Sequence, residues 1–224
     1  MALHWKWRLL FGLGLTMTLA LAVALPAAAS AASTLTGETL NGSSSQGNGS
    51  ACPANGYSVS GTATVPYAGT FTETGTWSGS GTVSGETGPF SATFTITSGT
   101  TTITGSKGPA TVGSGGVSGT ITCSGMVGIG NANANLTGVP YTATIQTPNG
   151  NFHDEGVSTV SARIVGSAGA GGDPGSATLT ESFTSSLTEP VLIGPTSKGR
   201  CKKGGWKEFP QFKNQGQCVS FVLT

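Results

Sequence analysis

The chain has 224 residues, enough for one ordinary domain with a small appendage. Charged residues make up only 8% of it, whereas a typical globular protein has about 25%, so hydroxyl groups and backbone must cover the surface in place of salt bridges. Low charge with many β-branched residues favours a sheet protein and excludes an ordinary disordered chain.

Residues 1–31 have the features of an export signal. A short basic start precedes an apolar run over residues 9–25, and small residues then offer cleavage sites ending at Ala29 or Ala31. Glycines and threonines interrupt the run, which disfavours the alternative of an uncleaved membrane anchor. We therefore expect a secreted, extracellular protein with no membrane segment once the signal is removed.

Residues 32–55 are polar and rich in glycine and serine, and a flexible leader is predicted there. Alternation of apolar and polar residues follows, with Gly, Pro, Asn and Ser clusters between the alternating stretches. Eight strands are predicted, over residues 57–65, 70–77, 90–97, 100–105, 117–123, 141–145, 160–164 and 177–183.

This spacing predicts an antiparallel all-β domain over residues 56–187. A meandering β-barrel is preferred to the alternative, a β-sandwich, because short turns join neighbouring strands and closure removes the exposed edges.

The clearest predicted element is a hairpin over residues 90–105. Apolar residues fall at every second position of its first half, which is the period of a strand with one buried face. A two-residue turn at Ser98 and Gly99 places Phe94 opposite Ile103. The intervening threonines then form a ladder of β-branched pairs on the solvated face.

All four cysteines lie beyond the signal, and an even count in an oxidising compartment indicates disulfides. Three pairings are possible. We predict Cys201–Cys218 and Cys52–Cys123, because each bridge then stays within one compositional region. Zinc is disfavoured, since the expected mature chain has one histidine, His153, and no close C-x-x-C spacing.

The end of the chain differs in composition from the rest. Two prolines and an apolar patch over residues 188–199 indicate a linker, and residues 200–224 combine basic and aromatic side chains around two cysteines. So short a segment buries too little surface to fold alone, and a small module closed by the Cys201–Cys218 disulfide is predicted.

Charge is divided unevenly along the chain. Residues 30–197 contain two basic and eight acidic residues, whereas residues 198–224 contain six basic and one acidic. The basic end either docks on the acidic body, or is solvated, or contacts a cell-surface glycan or anionic wall polymer through Lys202, Lys203 and Lys207. Nucleic acid is not an expected partner, because export argues against it.

The pattern Cys201-Lys-Lys-Gly-Gly-Trp206, followed by Phe212-Lys-Asn-Gln-Gly-x-Cys218-Val-Ser, resembles a short C-terminal motif of exported bacterial proteins of uncharacterised function. Upstream, the PYAGTFTETGTW stretch is similar to β domains that precede that motif. The resemblance implies a bacterial, exported β protein. It implies no activity, and no functional residue is carried over from it.

Few residues could support catalysis or metal binding. A serine hydrolase needs a histidine base, but His153 lies in the loop-like stretch PNGNFHDEG and no G-x-S-x-G elbow occurs. The same stretch offers oxygen ligands for calcium, at a spacing that departs from the EF-hand; they are Asn149, Asn151, Asp154 and Glu155. No metal and no cofactor are predicted.

A glycan-acting hydrolase requires two carboxyl groups. Glu73 and Glu181 each lie in a predicted strand among apolar neighbours, and with Trp77 they are the candidate ligand-binding residues. Inside a barrel their pKa values would be raised and they could bind a ligand or perform acid/base work. The alternative is that each reaches solvent where its strand leaves the core.

The leading hypothesis is a secreted, non-catalytic β module with a binding or structural role at the cell surface, because ionisable residues are few and an export signal is present. One alternative is the glycan-acting hydrolase that uses Glu73 and Glu181. Another is an ice-binding protein with T-x-T faces such as Thr93, Thr95 and Thr97, which requires many evenly spaced copies that the sequence does not show.

Overall fold

The computed structural model describes residues 32–47, 56–77, 89–126, 129–165 and 175–222. The predicted signal segment and Cys52 lie outside these residues, so the Cys52–Cys123 pairing stays a prediction. In the described ranges, no helix is long and apolar enough to cross a membrane.

The described residues form an antiparallel all-β fold with short helical segments at its end. The strands are β1 Thr39–Gly47, β2 Tyr57–Ala63, β3 Gly69–Trp77, β4 Phe90–Ser98, β5 Thr101–Ala110, β6 Ser118–Met126, β7 Ile129–Thr147, β8 Gly150–Val165, β9 Gly175–Ser185 and β10 Val191–Leu192. Each of the eight predicted strands overlaps one of these, which confirms the predicted fold class.

Eight of the strands close into a barrel in the order β1-β2-β3-β4-β5-β7-β8-β9, with β9 paired to β1. The strands are staggered around the ring. When paired residues are followed from strand to strand, starting at Phe152 in β8 and going through β7, the circuit returns to β8 at Ala162. The stagger around the barrel is therefore ten residues. Such a stagger tilts the strands and widens the interior. Strand β6 pairs with the first half of β7 and extends the sheet beyond the ring.

The β4–β5 hairpin has the predicted faces, but its predicted register is wrong. The turn consists of Gly99 and Thr100, and Phe94 pairs with Gly105 in place of Ile103. Gly99 has φ +57°, and a two-residue turn with glycine at its first central position requires that sign. Because the register differs by two residues, every side chain keeps its predicted face.

Glycines occupy inward positions where an aromatic ring of the neighbouring strand fills the space. A Cβ on Gly105 would lie 2.3 Å from the Phe94 ring, and a Cβ on Gly75 would lie 2.4 Å from the Tyr57 ring. Aromatic rings on one strand and glycines on the next therefore share the lumen between them, and both are needed for the packing.

The predicted flexible leader is wrong for residues 39–47, which form β1 between β2 and β9. Leu40 is fully buried, but the next inward position is Gly42, where a Cβ would lie 2.5 Å from the Phe71 ring. The strand lacks an apolar alternation because a neighbouring ring fills its share of the core. Just before it, Leu35 is also fully buried in the barrel core.

The predicted linker is partly regular structure. Its residues Val191 and Leu192 form β10, which pairs with His153 and Phe152 at the start of β8. This edge of β8 lies beyond the end of β9 and has backbone groups to pair, which explains why so short a strand forms there.

The chain ends in a module of short helical segments, α1 Lys198–Cys201, a 3-10 turn Gly205–Glu208 and α2 Gln215–Phe221. The predicted Cys201–Cys218 disulfide is confirmed, with the two Cα atoms 5.6 Å apart. Aromatic side chains surround it, and they are Trp206, Phe209, Phe212 and Phe221. The Gln211 side chain donates a hydrogen bond to the Ile193 carbonyl at 3.1 Å and so ties the module to the segment after β10.

Candidate functional site: a charged cluster inside the barrel

Two of the three candidate ligand-binding residues point into the lumen of the barrel. Glu73 in β3 and Glu181 in β9 occupy inward positions, and their side chains have no exposed surface. The alternative placement, in which each carboxylate reaches solvent at a strand end, is therefore wrong. The side chain of Trp77 lies outside the described part of the structure.

Lys107 joins the two carboxylates. Its Nζ lies 2.5 Å from Glu73 Oε2, and it also donates a hydrogen bond to Glu181 Oε2. The Tyr57 hydroxyl donates to the other oxygen of Glu73, Oε1, at 2.5 Å. Four strands, β2, β3, β5 and β9, thus supply one fully buried polar cluster.

Aromatic rings enclose this cluster. The Lys107 Nζ lies 5.5 Å from the centroid of the Phe94 ring and 5.8 Å from that of Phe183. Both distances are in the range of cation–π attraction, which is stronger in a desolvated setting. The Lys107 amine is therefore stabilised by two glutamate side chains and by two ring faces at once.

Sequence reasoning missed Lys107, although its position in β5 carried a signal. The residue lies four positions after Ile103 and two after Gly105, on the inward phase of the same strand. The predicted strand ended at Gly105, so this alternation was not continued. A lysine in an inward position requires a buried partner of opposite charge, and Glu73 and Glu181 were already candidates for the lumen.

The cluster contains one amine and two carboxyl groups out of contact with water. Burial raises the pKa of Glu181 to about 8, the negative charge of Glu73 adds to this, and the attraction of Lys107 opposes it. Burial therefore favours the uncharged acid form of Glu181. Burial also raises the pKa of Tyr57 well above its usual value, so its hydroxyl keeps its proton and acts as a donor.

A second buried polar group, Asp154 in β8, holds the N-terminal segment in place. Its Oδ2 accepts hydrogen bonds from the Leu35 amide at 2.8 Å and from the Tyr141 hydroxyl at 3.0 Å. Its Oδ1 accepts one from the Ser185 hydroxyl at 2.6 Å. This carboxylate is saturated with internal donors and serves the fold.

The oxygen ligands considered for calcium are not brought together in one site. Asp154 points into the barrel and Glu155 points outward, because adjacent residues of a strand face opposite sides. Glu155 pairs with His153, with 3.1 Å between Oε2 and Nε2 on the outer surface. Across the described ranges, no group of three or more His, Cys, Asp or Glu side chains could hold a metal ion.

The geometry of this cluster does not suit the hydrolysis of a glycan. The two carboxyl groups of a glycosidase flank the sugar at a separation of about 5–9.5 Å. Here Glu73 and Glu181 bind the same ammonium and neither has exposed surface. A sugar could reach them only by displacing Lys107 from the core.

The outer face of the barrel carries threonines in register across neighbouring strands. Thr72 in β3 pairs with Thr95 in β4, Thr95 with Thr104 in β5, and Thr104 with Thr144 in β7. Adjacent hydroxyls in such a row are about 4.8 Å apart, and successive rows are about 6.8 Å apart along a strand. A shallow groove of about 550 Å³ crosses these rows.

These features define the class of protein: a closed, eight-stranded antiparallel barrel with a buried Glu–Lys–Glu cluster, followed by a small disulfide-closed module. Comparison with protein-family models, with curated proteins and with solved structures finds no match for this chain. What the protein does has to be inferred from its own residues.

Proposed function

We propose that this protein is a secreted, non-catalytic β module that binds an anionic polymer at the cell surface through its C-terminal module. The observation that supports the proposal is the placement of charge. Four of the eight acidic residues of the body lie inside the barrel, and they are Glu38, Glu73, Asp154 and Glu181. The body therefore presents much less negative charge to its surroundings than its sequence suggests.

The basic residues of the module have the opposite placement. Lys202, Lys203 and Lys207 are all exposed. Arg200 pairs with Glu208 at 2.9 Å within the module, whereas Lys202 and Lys203 make no ion pair with any residue in the described part of the chain. These lysines are thus available to a partner outside the chain.

Lys202 and Lys203 line a groove of about 550 Å³ together with Gly199, Arg200, Gly204, Gly205 and Glu208, and Glu208 is the acid already paired with Arg200. The ammonium groups of Lys202 and Lys203 suit phosphate or carboxylate groups. The repeating charges of a polymer would add up several weak contacts, each of which is screened by salt.

The proposal is tested by titrating the protein with polyphosphate, with dextran as the neutral probe. The double variant Lys202→Gln, Lys203→Gln is compared with the matched double variant Lys198→Gln, Lys213→Gln, which has the same net charge but alters no residue of the groove. We expect the first to lose about tenfold in affinity and the second much less, since an exposed ion pair contributes up to about 1 kcal/mol. Equal losses, or no binding at low salt, would contradict the proposal.

The threonine rows favour ice binding as a second candidate function. Ice binding requires evenly spaced copies of a T-x-T surface. The register of β3, β4, β5 and β7 aligns several such copies side by side. Thermal hysteresis of the purified protein is the measurement. We expect Thr95→Tyr to reduce it and Thr178→Tyr, on the outer face of β9, to leave it unchanged; no hysteresis in the wild-type protein rules this function out.

A further inference from the structure

The Glu73–Lys107–Glu181 cluster holds the two reactants of an amide bond in contact. The Lys107 Nζ is a primary amine within hydrogen-bond distance of a carboxyl oxygen of each glutamate. None of the three side chains has exposed surface. Condensation of an amine with a carboxylic acid is opposed by water and by charge, and it is favoured when the groups are held together in a dry site.

The hydrogen bonds of the two glutamates differ, and the difference assigns their roles. Both oxygens of Glu73 are occupied, Oε1 by the Tyr57 hydroxyl and Oε2 by Lys107. Glu181 binds Lys107 through Oε2, and the buried Ser158 hydroxyl is its other hydrogen-bonding neighbour, so its Oε1 is held by neither Lys107 nor Tyr57. Glu73 is thus positioned as a proton acceptor, and Glu181 has an oxygen that can leave.

Protonation supports the same assignment. Burial raises the pKa of the Glu181 carboxyl to about 8, which favours its uncharged acid form. The carbonyl carbon of a carboxylic acid is attacked by an amine far more readily than that of a carboxylate anion. The nearby Phe94 and Phe183 rings keep water from the reacting atoms.

We propose that Lys107 and Glu181 form an intramolecular amide bond in the folded protein, with Glu73 as the catalytic base. Glu73 Oε2 takes a proton from the Lys107 ammonium and leaves a neutral amine. The Nζ lone pair attacks Cδ of protonated Glu181, the new N–C bond forms, and the bond from Cδ to the hydroxyl oxygen breaks. That hydroxyl leaves with the second proton from Nζ as one water molecule.

The step balances in atoms and in charge. An ammonium, an uncharged acid and a carboxylate become an amide, a water molecule and the protonated acid of Glu73. The product contains no buried charge, so the reaction removes the cost of keeping ions in the core. It also joins β5 to β9 across the lumen, between residues 74 positions apart in sequence, which constrains the unfolded chain.

Intact-mass spectrometry of the reduced, denatured full-length protein tests the proposal. We expect the wild-type mass to be lower by one water than the sequence requires. Lys107→Arg keeps a cation between the carboxyl groups but cannot form this bond, so the variant serves as the mass reference and the water loss should vanish in it. A chymotryptic digest should yield a branched peptide that contains Lys107 and Glu181.

Two further results decide the proposal. A wild-type protein without water loss, or with the loss located at other residues, overturns the cross-link. Glu73→Gln retains both reacting groups, and we expect most of this variant to stay unlinked. Complete linkage in Glu73→Gln would overturn the role of Glu73 as the base. Polymer binding by the C-terminal module is measured separately and does not depend on either outcome.

Discussion

Removal of the Lys107 amine should destabilise the barrel much more than removal of the whole charged cluster. In Lys107→Met an aliphatic side chain still fills the space, but the ammonium group that faces Glu73 and Glu181 is lost. Both carboxyl groups stay buried. Loss of one partner from a buried ion pair costs about 3–5 kcal/mol. For a protein of this size that lowers Tm by roughly 6–20 °C relative to a wild-type chain in which Lys107 and Glu181 are not cross-linked.

The triple variant Lys107→Met, Glu73→Gln, Glu181→Gln should recover most of that loss. It carries no charge at the three positions, and uncharged side chains in place of a whole buried ion pair cost less than one partner left buried without its counter-charge. We expect the triple variant to be more stable than Lys107→Met by about 3 kcal/mol at neutral pH. Neither variant can form an amide at position 107, so the comparison does not depend on the cross-link.

The stability of Lys107→Met should depend on pH more strongly than that of the triple variant. Lys107 lowers the pKa of Glu181, so without it the pKa of this buried carboxyl rises further. The folded variant then binds protons that the unfolded chain, with a carboxyl pKa of about 4.3, has released. Stability of Lys107→Met should therefore fall as pH rises above about 5, by up to about 1.4 kcal/mol per pH unit for each titrating group.

Urea unfolding followed by circular dichroism, at about pH 4 and about pH 7, is the measurement. The single and triple variants should approach each other in stability at the lower pH and separate at the higher one. If their unfolding midpoints coincide at both, the carboxylates are not desolvated in the core and the reasoning from buried charge is wrong.

Three further changes test other parts of the structure. Asp154→Ala should cost about 2–4 kcal/mol, because buried amide and hydroxyl donors lose their acceptor; unchanged amide exchange in residues 33–38 would contradict this role. Gly105→Ala should cost about 1–3 kcal/mol in urea unfolding because of the Phe94 ring contact, whereas Gly199→Ala, whose Cβ would meet the Ser197 hydroxyl at an ordinary contact distance of 3.7 Å, should change stability little. Reduction of the Cys201–Cys218 disulfide, which closes a loop over a sequence separation of 17, should remove about 3 kcal/mol and abolish the near-ultraviolet signal of the module while the β spectrum persists.

Strand periodicity made most of the barrel predictable. Runs such as the one over Phe90–Ser98 alternate apolar side chains with threonine, and every run of this kind forms a strand. The same period fixed which face is buried, even where the hairpin register was wrong by two residues. Faces are easier to predict than register, because a shift of two residues leaves the pattern unchanged.

Strand β1 could not be predicted from apolar alternation, because its share of the core is filled by another strand. Gly42 faces inward and the Phe71 ring occupies the space beside it. The burial of Lys107 was not predicted for a related reason. Its position has the inward phase of β5, but a lysine is expected on the surface as long as its partners are unknown. In both cases the missing information lay in a strand that is not adjacent in the sheet, β3 for Gly42 and β3 and β9 for Lys107.

The position of the charged cluster favours a single register of the barrel strands. Strands β3, β5 and β9 are separated by one or two strands around the ring, so Glu73, Lys107 and Glu181 approach the lumen from three sides. A slip of β5 by one residue would turn Lys107 to the outer face and leave both carboxylates without their partner. Aliphatic and aromatic side chains alone tolerate rearrangement more readily than a set of charges does. The cluster therefore selects the register of three strands at once, whether its atoms are joined by hydrogen bonds or by the amide bond proposed above.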